Sequence, residues 1–226
     1  MATILNIETA TAACSVAVAR NGTIIAHEES NEGNVHAERL AVYVDSAIKK
    51  SGITFSALDA VAVGSGPGSY TGLRIGTATA KGLCYALDKP LIAVPTLKAM
   101  AMAAAKKLNR ADVLYCPMID ARRLEVYTAL FDSMGKEILP VHARILDEHS
   151  FSEYKTIAFF GDGMPKMREL FKNDSSKLWL NDILASATNL CSLAEEMNSA
   201  KQFSDVAYYE PFYLKDFVAG KKVASA

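Results

Sequence analysis

The sequence predicts a duplicated α/β protein, because its strand and helix signals run through the same order twice within 226 residues. Each half opens with three strand-like runs and then alternates helix with strand. In each, a strand runs straight into a glycine pair: Val63 into Gly64-Ser65-Gly66, and Phe160 into Gly161-Asp162-Gly163. At 50% hydrophobic, the chain has enough apolar side chains for a substantial core.

In the first half, Ile4, Leu5 and Ile7 mark a strand, residues 14–19 a second and residues 23–27 a third. Asn21-Gly22 joins the last two as a two-residue hairpin, since both positions tolerate φ > 0. A helix follows: Asn34 supplies a cap, Ala37, Leu40, Ala41, Val44 and Ile48 recur at helical spacing, and Gly52 ends it. A strand over 60–63, a glycine loop over 64–72, a helix to about Leu87, a strand over 91–94 and a helix over 96–108 complete the half.

The second half predicts strands near 113–119, 125–132 and 137–139, a short helical stretch at 147–154, and a strand over 156–160. A helix over 165–171, a strand over 178–180 and a helix over 188–197 follow. Asn109 and Arg110 break the apolar pattern, so the boundary is placed between residues 1–108 and 109–226. Two halves of βββαβα type make an actin-like architecture. Beyond Leu214, charged and small residues predict a disordered tail.

The formal net charge of -1 offers no basic footprint for holding a nucleic acid unaided, so any RNA would be gripped through another subunit. Cys14, Cys84, Cys116 and Cys191 are far apart among apolar residues and form no C-x-x-C pair, which predicts buried reduced thiols rather than zinc or redox chemistry. No signal peptide and no apolar run near membrane-spanning length is visible, and a cytoplasmic protein without a membrane partner is expected.

The loop 64–72 holds four glycines and a proline, yet fits no common phosphate fingerprint. Leu73 stands where a P-loop lysine would follow Gly72, and a G-x-G-x-x-G reading ends on Ser69 or Thr71. Anion binding at the helix N-terminus and a tight strand-to-helix turn are both open. Along the next helix, Gly72, Gly76, Ala80 and Cys84 form a small-residue stripe suited to close approach of another helix, inside the fold or on a partner. Two glycines there cost about 1 kcal/mol each relative to alanine, a cost that some contact must offset. Val35, Val42 and Tyr43 give the preceding helix more apolar surface than one buried face needs. On this reading Gly76→Leu weakens a partner contact and leaves the fold largely intact.

Chemistry-bearing residues are sparse. His27, His36, His142 and His149 are scattered and make no metal motif, although His36 suits a cap or an interface. Ser65 and Ser69 lack a G-x-S-x-G elbow and a placed histidine. Asp120, at a strand end before Ala-Arg-Arg-Leu-Glu-Val-Tyr127, can orient a metal–nucleotide complex or merely accept bonds from its own turn. Glu8 holds the matching place in the first half.

Four blocks then carry a resemblance across nearly the whole chain: Ile7-Glu-Thr-Ala-Thr-Ala-Ala-Cys-Ser-Val-Ala17, Gly66-Pro-Gly-Ser-Tyr-Thr-Gly-Leu-Arg-Ile-Gly76, Ile119-Asp-Ala-Arg-Arg-Leu-Glu-Val-Tyr127 and Glu210-Pro-Phe-Tyr-Leu214. Together they resemble the bacterial TsaB family, also called YeaZ. That resemblance implies the actin/Hsp70/sugar-kinase fold and a part in making N6-threonylcarbamoyladenosine (t6A) at position 37 of tRNAs reading codons that begin with A. It implies a non-catalytic scaffold for the transferase TsaD, with the ATPase TsaE joining a larger complex, a homodimer in isolation, and tRNA met only through the complex.

TsaD-like proteins carry two metal-holding histidines after the strand that follows the glycine loop; Thr96 and Met100 stand at those positions here. No catalytic residue, metal or cofactor is therefore assigned. The resemblance makes Glu8, Asp120, Gly161 and Gly163 the nucleotide-binding candidates, placed where an actin-like ATP site would lie. The resemblance puts the partner interface on the first two helices, at His36, Leu40, Tyr43 and Val44, and at Gly72, Leu73, Gly76, Ala80 and Leu83. The rival functions are an M22-type glycoprotease and a small-molecule kinase of the same fold.

Overall fold

The computed structural model describes residues 2–30, 36–171 and 177–215. Strands β1 (Thr3–Glu8), β2 (Cys14–Arg20) and β3 (Thr23–Ser30) form an antiparallel meander, and Asn21 and Gly22 both take positive φ (51° and 71°) at its tight turn. Strands β4 (Ala60–Gly64) and β5 (Leu91–Val94) extend the sheet in parallel from β1, giving the order β3-β2-β1-β4-β5. The second sheet repeats this plan with β6 (Leu114–Asp120), β7 (Glu125–Phe131), β8 (Glu137–Ile145), β9 (Ile157–Phe160) and β10 (Lys177–Leu180), in the order β10-β9-β6-β7-β8. β1 and β4 are buried along their whole length, which is why they read as apolar runs rather than as alternating strands.

The helices separate and cover the sheets. α1 (His36–Lys50) and α2 (Tyr70–Leu87) bury Leu40, Val44, Ile48, Ala80 and Cys84 against one face of the first sheet. α5 (Ala187–Ser199) covers the opposite face, with Leu190, Leu193 and Ala194 on Ile4, Ala60, Ala62 and Ile92. α3 (Thr96–Leu108) contacts α5 and turns Leu97, Met100 and Ala104 toward Tyr115, Ile119 and Phe131 of the second sheet. α4 (Met164–Leu170) packs Met164 and Met167 with Phe151 and Phe159. The C-terminal half thus lends its last helix to the N-terminal sheet, and the core runs through both halves.

After α5 the chain returns to the first half. Ser204 N–H donates to Leu91 O (2.9 Å), Lys81 Nζ donates to Ala207 O (2.9 Å), and Phe212 N–H donates to Ser65 O (2.8 Å). The Tyr213 ring lies 4.8 Å from that of Tyr70, and Lys215 pairs with Glu125. The Glu210–Leu214 block is therefore a strap across the glycine turn.

Three expectations are corrected. Residues 147–154 form successive short turns rather than a helix, because Phe151 takes φ 63° to insert a fully buried ring beside Phe159 and under the Arg144 guanidinium. Tertiary packing overrides the local helix signal. β8 runs to Ile145 instead of stopping at 139; it is an edge strand, where Pro140 is tolerated, and its register to β7 shifts near Leu130. α2 begins at Tyr70, earlier than Gly72, because Ser69 caps it by accepting from Gly72 N–H. The four thiols are free and buried, and burial pushes those of Cys116 and Cys191 up to about 12. The Asn34 cap, Val35 and the tail beyond Lys215 lie outside the described residues. Among the described residues no helix is long and apolar enough to cross a membrane.

Candidate functional site

The β1–β2 turn, Glu8-Thr9-Ala10, is gripped by glycines that recur every fourth residue. A Cβ on Gly64 would stand 2.1 Å from Glu8 Oε2, on Gly68 2.2 Å from Ala10 O, on Gly72 2.1 Å from Thr9 O, and on Gly76 2.3 Å from Thr9 Oγ1. No side chain fits at those distances, so each glycine exists for close approach. Hydrogen bonds finish the joint: Thr9 Oγ1 donates to Gly72 O (2.8 Å) and Ser69 N–H donates to Ala10 O (2.6 Å). Gly66, at φ 92°, spends its N–H on Thr96 Oγ1 (3.2 Å). The small-residue stripe is thus matched to this turn, and the reading that reserved Gly72 and Gly76 for a partner helix is corrected.

Glu8 is sealed beneath that joint at 1% exposure. Its Oε1 accepts from Thr9 N–H and Ala10 N–H (2.8 Å each), and its Oε2 accepts from Thr96 Oγ1 (2.9 Å). Burial raises its pKa, and the Ala10, Thr96 and Thr9 bonds only partly oppose this. Glu8 does not line the neighbouring cleft, so its role as a nucleotide ligand is corrected to that of an internal acceptor. Met100, like Thr96, is buried.

That cleft, about 1020 Å³, runs between the glycine turn and the end of β6. Ser69, Tyr70 and Thr71 line it from the first half, Asp120, Arg122 and Tyr127 from the second, Tyr213 from the strap and Lys215 just after it. Asp120 keeps 42% of its side chain exposed, and its Oδ1 accepts from Arg122 N–H (2.6 Å) and Lys166 Nζ (2.9 Å). Its own N–H donates to Asp162 Oδ1 (3.0 Å). Burial, reinforced by the Asp120 charge, raises the Asp162 pKa. Gly161 and Gly163 do not fit a phosphate cradle. Their N–H groups are taken by Ile183 O and Met118 O (3.0 Å each), and a Cβ on Gly161 would lie 2.1 Å from Met118 O. Lys166 carries no pattern that singles it out in the sequence, and the Glu210–Leu214 block marks Tyr213 without saying what it touches; only the fold brings the two side chains to Asp120 and Tyr70. Among the described residues no cluster of metal-ligating side chains forms.

The expected interface residues divide. Leu40, Val44, Leu73 and Ala80 are core side chains, Gly72 and Gly76 sit on Thr9, and His36 is buried with Nε2 3.2 Å from Ala13 O. These seven are corrected to internal contacts of α1 and α2. Tyr43 and Leu83 stay half-buried, and the outward surface of the two helices instead carries Val42 (58% exposed) and Tyr85 (87%). Both fall outside the buried face in the helical period, a signal that marks Val42 in the sequence and was passed over at Tyr85.

Comparison with known proteins follows the same outline. A family profile described as "TsaD: tRNA N6-adenosine threonylcarbamoyltransferase" matches residues 23–222. The tRNA threonylcarbamoyladenosine biosynthesis protein TsaB of Escherichia coli strain K12 is 36% identical, over 97% of each chain. The solved structure of YeaZ from Pseudomonas aeruginosa is 28% identical, with a TM-score of 0.78 over 95% of this chain and all of that one. A second solved structure, described as similar to peptidase YeaZ from Pseudomonas aeruginosa, has a TM-score of 0.79 at the same identity and coverage.

Proposed function

The chain belongs to the TsaB family, within the wider group matched by the threonylcarbamoyltransferase profile, and from that premise we propose that it acts in t6A formation on tRNA as a scaffold that activates a TsaD-type transferase. The observation that carries the scaffold reading is the closed glycine turn. Gly64, Gly68, Gly72 and Gly76 are filled by Glu8-Thr9-Ala10, and the N–H groups of Gly66 and Ser69 are spent on Thr96 Oγ1 and Ala10 O instead of being left for an anion. Ser69 is engaged as a helix cap, which argues against the peptidase alternative. Val42 and Tyr85 give the outward side of α1 and α2 apolar groups for a partner to cover. The division into residues 1–108 and 109–226, a homodimer in isolation, a complex with TsaE and a cytoplasmic location belong to the same proposal.

The test is reconstitution. The purified chain alone should leave tRNA unmodified, and adding it to a TsaD-type transferase supplied with threonylcarbamoyl-AMP should raise t6A yield at least about 10-fold. Placing a carboxylate at an apolar contact costs about 1–3 kcal/mol if it is left unpaired there, so Val42→Asp with Tyr85→Asp should weaken the complex by about 10-fold or more. Unchanged t6A yield without this chain, or unchanged affinity of the double variant, would overturn the proposal.

A further inference from the structure

A second cavity, of about 440 Å³, lies where the two halves meet and shares no lining residue with the cleft. Its size falls within the range of small-molecule sites. Four pieces of chain enclose it: Ser65-Gly66, the first turn of α3, the β7–β8 hairpin and Phe212 of the strap. Phe212 and Tyr213 are consecutive, and they line the two different cavities.

The walls are tied down. Phe212 N–H is bonded to Ser65 O (2.8 Å), and a Cβ on Gly66 would lie 3.2 Å from Phe212 O. In the hairpin, Asp132 Oδ1 accepts from the N–H groups of Met134 and Lys136 (2.9 Å each). Gly135, at φ 75°, sits against α3, where a Cβ would lie 3.4 Å from Met102 Sδ and 3.5 Å from Lys98 Cε. Leu97, Phe131, Val141 and Phe212 make the surface of this space mainly apolar.

Its rim is cationic. Lys98 lies across Gly135, and Lys136 follows Gly135 in the chain, so both ammonium-bearing side chains border the same opening. Among the described residues neither amine has an ion-pair partner, whereas Lys107, Lys166 and Lys215 pair with Asp182, Asp120 and Glu125. Glu137 is the one carboxylate among the residues that line the cavity, which leaves one cation in excess. An apolar space bordered by two lysines without ion-pair partners among the described residues matches a ligand with an apolar body and an anionic head.

We propose that this cavity binds a small carboxylic acid, its tail or ring on Leu97, Phe131, Val141 and Phe212 and its carboxylate toward Lys98 and Lys136. The proposal does not depend on the scaffold reading. The probe is 4-phenylbutyrate, titrated into the full ¹⁵N-labelled chain, with 4-phenylbutanol as its uncharged counterpart. Amide shifts should saturate at Gly66, Gly135, Lys136 and Phe212 with a Kd below about 1 mM, and the alcohol should bind at least about 10-fold more weakly. Lys98→Glu with Lys136→Glu should weaken the acid at least about 10-fold at unchanged Tm, and Val141→Trp, which fills the space, should abolish binding. Should Val141→Trp not fold, the double charge variant decides. The proposal fails if no saturation occurs by about 5 mM, if the shifts centre on Tyr70 and Tyr127 of the cleft, if acid and alcohol bind alike, or if the charge reversal changes nothing.

Discussion

The two halves place a carboxylate at the end of their first strand and a glycine at the end of the strand beside it, and then treat the pair in opposite ways. In the N-terminal half Glu8 and Gly64 are pressed together, Glu8 is 1% exposed, Gly68 of the loop closes on Ala10, and the 18-residue α2 extends the contact through Gly72 and Gly76. In the C-terminal half Asp120 stands 42% exposed at the cleft, Gly161 packs on the β6 backbone instead, and α4 has 7 residues. One topology thus supports a locked turn and an open one. A long helix whose first two turns carry Gly72 and Gly76 on one face can be drawn onto a neighbouring loop, and a short helix without that spacing cannot.

If the locked turn is a packed joint, crowding it should have the largest effect. Gly76→Leu introduces a side chain where a Cβ alone would meet Thr9 Oγ1 at 2.3 Å, so either the β1–β2 turn or α2 has to move. Overpacking of this kind costs about 3 kcal/mol, which for a domain of this size lowers Tm by about 6–12 °C. Calorimetry of the purified variant checks it. A variant of unchanged Tm would return Gly76 to the surface role that its place in the small-residue stripe suggested.

The next contrast is electrostatic. The folded-state pKa of Glu8 is raised, so the native chain holds its proton to higher pH than the unfolded chain does. Stability from this group is greatest below the unfolded carboxylate value and falls as pH rises through the folded one. Glu8→Gln removes that titration while keeping an oxygen for Thr9 and Ala10 N–H. The difference in stability between wild type and variant should therefore shift in favour of the variant as pH rises above about 4.5, with a slope of at most about 1.4 kcal/mol per pH unit. Urea unfolding of both proteins from pH 4 to pH 8 measures it, and a pH-independent difference would show that Glu8 is not held protonated.

Much of the fold was readable because it rests on local signals. Asn21-Gly22 fixes the first hairpin, the apolar runs of β1 and β4 mark central strands, and the repeated order of elements announces the duplication. What could not be read depends on distant partners. The helical pattern at 147–154 loses to burial of the Phe151 ring, and α5 leaves its own half to cover the first sheet. The site was legible only in part. Glycines 64, 68, 72 and 76 advertise a close approach, but a sequence does not say whether the approaching chain is a partner helix or residues 8–10 of the same molecule. For the same reason the Asp120–Lys166 contact, 46 residues apart, and the Tyr70–Tyr213 stack had no local signature.

A glycine on the same helix that meets nothing provides the control. Within 4 Å of a Cβ on Gly82 there is no atom, and the position is exposed. Gly82→Ala should therefore stabilise the protein by about 0.5–1 kcal/mol, through higher helix propensity and a less flexible unfolded chain. In thermal unfolding this appears as a gain of about 1–4 °C, opposite in sign to Gly76→Leu. Destabilisation by Gly82→Ala would mean that α2 needs its glycines for a reason other than contact with Thr9.

The smallest effect belongs to the open counterpart of Glu8. Asp120 pairs with Lys166 at 2.9 Å, yet 42% of its side chain is exposed, so water already competes for the charge. Exposed pairs of this kind contribute about 0–1 kcal/mol. Asn at this position keeps an oxygen that can accept from Arg122 N–H, as Asp120 Oδ1 does at 2.6 Å, so the turn after β6 retains its bond. Asp120→Asn should consequently lower stability by less than about 1 kcal/mol, and added salt should shrink the difference further by screening the pair. Chemical denaturation at low and high ionic strength measures both quantities. A loss comparable to that of Gly76→Leu would mean that the second turn is as firmly locked as the first, and the contrast between the two halves would disappear.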